Sequence, residues 1–94
     1  MSDTFDPYYV WLKISPGEQP PNHYRLLGLD PFEADTPRIE QAVTRRMGSI
    51  QEHLTGEHAE LALRILNEIA AAKTCLLKVD EKAAYDAKLR QSMP

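Results

Sequence analysis

Residues 36–77 read TPRIEQAVTRRMGSIQEHLTGEHAELALRILNEIAAAKTCLL, and this stretch decides the fold. Its first half carries apolar residues at spacings of three or four, which are typical of one face of an amphipathic helix. These residues are Ile39, Val43, Met47, Ile50 and Leu54, and Ala42 widens the stripe. Gly48 lies within this predicted helix at a cost of about 1 kcal/mol relative to alanine, which favours close approach by a neighbouring helix.

The second half of the stretch predicts another helix over residues 57–77, after a break at Thr55-Gly56. Two adjacent apolar stripes run along it, so we expect it to be the central helix, covered on two sides. The first stripe is Leu61, Ile65, Ile69, Ala72 and Leu76, and the second is Ala62, Leu66, Ala70 and Leu77.

Shorter helices are predicted on both sides of this pair. Asp6 can cap a helix that begins with Pro7, and Asn22 can cap a helix from His23 to Leu27 that Gly28 closes. Thr36 is expected to cap the first long helix, with Pro37 as its first residue. Asp80 is expected to cap a last helix that continues to about Gln91.

These elements predict an all-α fold, because the sequence contains no strand-length alternation and no hairpin-turn signal. We expect an antiparallel helical hairpin with short flanking helices. A proline-rich, aromatic arm at residues 1–21 precedes a helical domain at residues 22–91.

The composition argues against several classes of function. The 94 residues carry a net charge of −3, which argues against nucleic-acid binding because phosphate binding requires a concentrated basic field. Cys75 is the single cysteine, so neither an intrachain disulfide nor a zinc site with several thiolates is expected. No apolar run approaches a membrane span and the first residues do not resemble a signal peptide, so we expect a cytoplasmic protein without membrane contact.

Several motifs occur in the order found in the J-domain of DnaJ-type co-chaperones, and residues 22–90 resemble that family. The matching segments are YRLLGL at 24–29, the Ile39-Ala42-Val43 stripe, Ile69-Ala72-Leu76, and DEKAAYD at 80–86. The arm is similar to the lead-in of divergent J-like modules at the N-termini of large bacterial proteins, which implies the first domain of a longer chain. The resemblance also implies that Asp86 pairs with an arginine of the helical body.

The sequence departs from the family at its functional motif. J-domains stimulate ATP hydrolysis by a DnaK-type chaperone through His-Pro-Asp after the second helix, and the aligned position here holds QEH at 51–53. Neither proline nor aspartate occurs between Arg38 and Val79. The resemblance therefore implies the fold and argues against the family's activity.

We expect a non-catalytic protein-interaction or assembly module that binds no cofactor. The alternative is a co-chaperone or competitor that binds a DnaK-type chaperone through the second helix without activating it. A small enzyme or metal-binding protein is a third interpretation, for which no constellation of residues is evident.

Candidate chemical groups have simple structural interpretations. Glu52, His53, Glu57 and His58 surround the predicted turn and could hold a metal, although polar turns are common. Cys75 could be a nucleophile, but a small buried thiol is favoured. The carboxylates Asp80, Glu81 and Asp86 lie on a short helix without the cleft that carboxylate catalysis requires.

Partner-binding candidates fall in two groups. Arg38, Arg45 and Arg46 lie on the polar side of the first long helix and could dock an acidic partner, or they could form an ordinary solvated face. Tyr8, Tyr9 and Trp11 give the arm an aromatic character typical of interface hot spots. For the arm we favour packing onto the helical body over docking on a partner or on another copy.

Overall fold

Five α-helices make up most of residues 5–92, the part of the chain that this computed structural model describes, and no β-strand occurs there. The all-α fold class is therefore confirmed. The helices are α1 (Pro7–Leu12), α2 (His23–Leu27), α3 (Thr36–Gln51), α4 (Ala59–Leu76) and α5 (Val79–Ser92), with a 3-10 turn at Pro16–Glu18.

Both short helices begin as their capping residues predict, and α2 also ends as predicted. The Asp6 carboxylate accepts a hydrogen bond from the backbone N–H of Tyr9, and the Asn22 side chain accepts one from the N–H of Arg25. Gly28 ends α2 in the left-handed conformation at φ 75°, which glycine adopts without the steric cost that a Cβ would add.

Helix α3 begins one residue earlier than expected, so the prediction that Thr36 caps it is wrong. Asp35 holds the capping position, but its side chain makes no capping hydrogen bond. Its carboxylate instead lies 3.7 Å from the Arg38 guanidinium, one turn into the helix.

The end of α3 also differs from the predicted stripe. The helix ends at Gln51, and Leu54 lies in the following turn with 37% of its surface exposed. The backbone N–H groups of His53 and Leu54 each donate a hydrogen bond to the carbonyl three residues earlier in the chain. The chain therefore forms a tight turn after α3, and α4 begins at Ala59. Leu54 therefore belongs to the connection between the long helices.

The expectation that a neighbouring helix approaches Gly48 is wrong. A Cβ built at this position meets no atom of residues 5–92 within 4 Å. We therefore expect Gly48→Ala to raise the free energy of unfolding by about 0.4–1 kcal/mol, since alanine favours the helix and restricts the unfolded chain. Urea denaturation measures the change.

Gly28→Ala is the matched control for this substitution. At Gly28 the backbone is left-handed, and a Cβ would lie 2.7 Å from Nη2 of Arg46. We expect this variant to lose about 1 kcal/mol or more. A Gly48→Ala variant no more stable than the parent chain would contradict the argument.

Helices α3 and α4 pack against each other in opposite directions. Ile39 near the start of α3 and Leu76 at the end of α4 line the same cavity, so the two chain directions are antiparallel. Helix α4 also packs against α2 and α5 and is central, as its two stripes predict. Ala70 in the second stripe is nevertheless exposed.

The core joins the arm to the helical body. Leu12 and Ile14 are 2% and 0% exposed and belong to the same buried cluster as the apolar faces of α3 and α4. The other buried members are Tyr24, Leu26, Leu27, Ile39, Ala42, Val43, Ile50, Ala62, Ile65, Ile69, Ala72 and Leu76.

Helix α5 is tied to α2 through a buried carboxylate. It begins at Val79, so Asp80 lies inside its first turn and does not cap it as predicted. Asp86 is 8% exposed; its Oδ1 accepts a 2.5 Å hydrogen bond from the Tyr24 hydroxyl, and its Oδ2 lies 2.9 Å from Nζ of Lys82. The expectation of an arginine partner is therefore wrong.

Candidate functional site

The arm covers the turn between α3 and α4 through stacked rings. Trp11 lies on His53 with 4.1 Å between ring centroids and 12° between planes, and Phe5 lies on His58 at 3.8 Å and 8°. Phe5 and Trp11 also meet edge to face at 5.4 Å. We call these four rings, Phe5, Trp11, His53 and His58, the turn cluster.

A hydrogen bond from Tyr8 connects the arm to α4. The Tyr8 hydroxyl donates a 2.6 Å hydrogen bond to Oε1 of Glu68. Burial, together with that hydrogen bond, raises the pKa of Tyr8 to about 12. Tyr8 and Trp11 thus make contacts within the chain, which agrees with the interpretation that the arm packs onto the body, and their role in partner binding stays a prediction.

The raised pKa of Tyr8 predicts a loss of stability in alkali. An unfolded tyrosine ionises near pH 10, whereas folded Tyr8 keeps its proton up to about pH 12. Between these values the unfolded state loses a proton that the folded state retains, so the free energy of unfolding should fall as pH rises.

Urea denaturation between pH 8 and 11 tests this expectation in the parent chain and in Tyr8→Phe. The decline should be shallower in Tyr8→Phe. Burial also raises the pKa of Tyr24, but that contribution is present in both proteins. Identical pH dependence in the two proteins would rule out the assignment to Tyr8.

The three arginines of α3 differ in burial and in ion pairing. Arg38 is 67% exposed and lies 3.7 Å from carboxylate oxygens of both Glu33 and Asp35, and such exposed pairs contribute little to stability. Arg45 is exposed and forms no ion pair within residues 5–92. Arg46 is half-buried against Gly28.

The environment of Arg46 is unfavourable to its charge. Its Nε is buried without a hydrogen-bond partner among the described residues. Burial lowers the pKa of the guanidinium, and the nearby charges of Arg25 and Arg45 lower it further. Of the three arginines, Arg45 is the one that is exposed and has no ion pair within residues 5–92, so its charge is available to a partner.

The histidines of the turn do not assemble a metal site in this structure. Within residues 5–92 no group of three or more histidine, cysteine or carboxylate side chains is arranged to hold an ion. His53 and His58 instead contribute their ring faces to the turn cluster, while Glu52 and Glu57 are exposed.

Cys75 is partly buried, and the two carboxylates in the first turn of α5 are exposed. Burial raises the pKa of the Cys75 thiol, which disfavours the nucleophilic thiolate. Its Sγ lies 3.8 Å from the carbonyl oxygen of Glu81. Asp80 and Glu81 are exposed in the first turn of α5, where negative charge stabilises the helix dipole.

Sequence reasoning missed three residues that shape the contact between the arm and α4. Phe5 joins the turn cluster, Glu68 accepts the hydrogen bond from Tyr8, and Arg64 lies beside them. Glu68 is seven residues after Leu61, so helical spacing could have placed both on one side of α4, but no local signal pairs Glu68 with Tyr8.

No protein-family model, curated protein or solved structure matches this chain. The resemblance to a divergent J-domain therefore stays a prediction carried by the motifs. No helix of the described residues is long and apolar enough to cross a membrane.

Proposed function

We propose that this chain is a non-catalytic protein-interaction module with a J-domain-like fold, and that it does not stimulate a DnaK-type ATPase. The order of a short helix, an antiparallel pair and a final helix supports the fold assignment. The proposed location is the cytoplasm, which rests on the composition of the sequence.

The turn between α3 and α4 carries the functional argument. An active J-domain presents a proline-shaped acidic tripeptide there, whereas residues 51–53 here are QEH. In addition, Trp11 stacks on His53 and occupies one face of the turn. A chaperone approaching this turn meets neither the proline nor the aspartate of that tripeptide, and Trp11 covers one face of the turn.

Steady-state ATP hydrolysis by a purified DnaK-type chaperone tests the proposal. We expect no increase in phosphate release on addition of this chain, while an active J-domain in the same assay gives the positive control. Trp11→Ala, which uncovers His53, should be equally inactive because the tripeptide is still missing. Stimulation by the parent chain would overturn the proposal.

The exposure of Arg45 favours one alternative, a competitor that binds the chaperone without activating it. Charge-based docking of this kind weakens with salt. Binding measured by surface plasmon resonance should then fall with added salt and be lost in Arg45→Glu. Lys73→Glu changes another exposed cation, on α4, and should leave the binding intact. Absence of binding by the parent chain excludes the competitor.

A further inference from the structure

A cavity of about 300 Å³ lies between the arm and α4. Leu61 and Ile65 of α4 contribute apolar side chains to it, and Phe5, Pro7 and Tyr8 contribute rings from the arm. Ligand cavities are commonly apolar and aromatic, with few polar groups, and begin at about this size. The volume suits one compact apolar group.

Most of the polar groups around this cavity already have partners. The Asp6 carboxylate accepts hydrogen bonds from the backbone N–H of Tyr9 and from Nε2 of Gln19, which also donates to the Ile14 carbonyl. The Tyr8 hydroxyl is bound to Glu68. These groups shape the cavity without requiring a ligand.

Arg64 is the exception among the lining side chains. It is exposed, lines the cavity, and forms no ion pair within the described part of the chain. A guanidinium binds a carboxylate well because its N–H groups match the two oxygens. The nearby Asp6 carboxylate repels any anion and repels one of higher charge more strongly, so a monoanion is favoured over a dianion.

We propose that this cavity binds a compact hydrophobic carboxylate, with its apolar group between Phe5, Tyr8 and Ile65 and its carboxylate on Arg64. A small aromatic acid carries this combination of an apolar group and a carboxylate, and so does the last residue of a polypeptide. The inference goes beyond the proposed function, because it specifies a ligand and does not depend on any contact with a chaperone.

Titration of the ¹⁵N-labelled chain followed by heteronuclear NMR tests the site. The probes are 3-phenylpropionate, its amide, and an acetylated Ala-Ala-Phe peptide with either a free or an amidated C-terminus. We expect saturable shifts of the backbone N–H signals of Phe5, Asp6, Tyr8 and residues 61–65 with at least one free acid. The corresponding amide should bind about tenfold more weakly or not at all, because it lacks the charge.

Two variants distinguish binding at this site from nonspecific attraction of an anion to any exposed cation. Arg64→Gln should weaken the acid about tenfold, whereas Lys73→Gln removes another exposed cation of α4 and should change nothing. Binding of the peptide acid alone identifies a polypeptide end as the source, and binding of phenylpropionate alone identifies a small acid.

Three results would overturn the inference: no saturable shifts with either acid, equal binding of acid and amide, or unchanged affinity in Arg64→Gln. Each is independent of ATP hydrolysis by a chaperone. Failure of this site and failure of the proposed function are therefore distinguishable.

Discussion

Replacing Tyr24 with alanine is expected to lower the free energy of unfolding by about 3–5 kcal/mol. For a domain of this size, a loss of that magnitude lowers the melting temperature by roughly 10 °C or more. The Tyr24 ring is fully buried, and its hydroxyl is bonded to the buried Asp86 carboxylate. Alanine would leave both a cavity and a carboxylate oxygen without its donor.

Tyr24→Phe separates these two effects. It keeps the ring and removes the hydroxyl, so we expect a loss of about 1–3 kcal/mol from the unsatisfied Asp86 oxygen. Tyr9→Ala is the exposed control, since Tyr9 is 55% exposed, and should change stability by less than about 0.5 kcal/mol. Thermal unfolding followed by circular dichroism measures all three, and a Tyr24→Ala variant melting with the parent chain would refute the argument.

Deleting residues 1–21 is expected to abolish cooperative folding. The deletion removes Leu12 and Ile14, which are almost fully buried, and exposes the apolar surface that they cover. Truncating one such side chain to alanine costs about 2–5 kcal/mol, and a small domain has a thin margin of stability.

Near-ultraviolet circular dichroism and urea denaturation of a chain starting at Asn22 measure the effect of this deletion. Ile14→Ala should give a partial loss of about 2–5 kcal/mol. Deletion of residues 1–4 is the control, because it removes none of the described contacts. Parent-like unfolding of the chain starting at Asn22 would show that the arm is not part of the core.

This expectation affects the design of binding experiments. A capture experiment that compares the intact chain with one starting at Asn22 would confuse loss of a binding surface with loss of the fold. Trp11→Ala is a better test of the arm, since Trp11 is only partly buried and stacks on His53 at the surface of the turn.

Local rules predicted those features that depend on neighbouring residues in the chain. The caps Asp6, Asn22 and Gly28 were identified correctly because each bonds to backbone groups within a few residues. The apolar spacing of α3 and α4 identified most of the buried positions for the same reason. Asp35 was missed as the cap of α3 and Asp80 was wrongly assigned as the cap of α5, because the start of a helix shifts by one or two residues without changing the apolar pattern.

The candidate site depended on contacts that sequence spacing does not encode. Nothing in the sequence pairs Trp11 with His53 or Tyr8 with Glu68, because the partners are 42 and 60 residues apart and meet only after the arm folds back. The three arginines of α3 likewise differ only in what the fold places beside them.

The sequence alone determined where helices form and which of their faces are apolar, since both follow from backbone capping and from a period of 3.6 residues. Only the tertiary structure decided what lies beside each face. Gly48 faces open space, Asp86 pairs with a tyrosine and a lysine, and the arm packs on the turn between α3 and α4. The physical reason is that burial and side-chain pairing depend on distances between residues that are far apart in the chain. Many sequences can meet those distances with different pairs of residues.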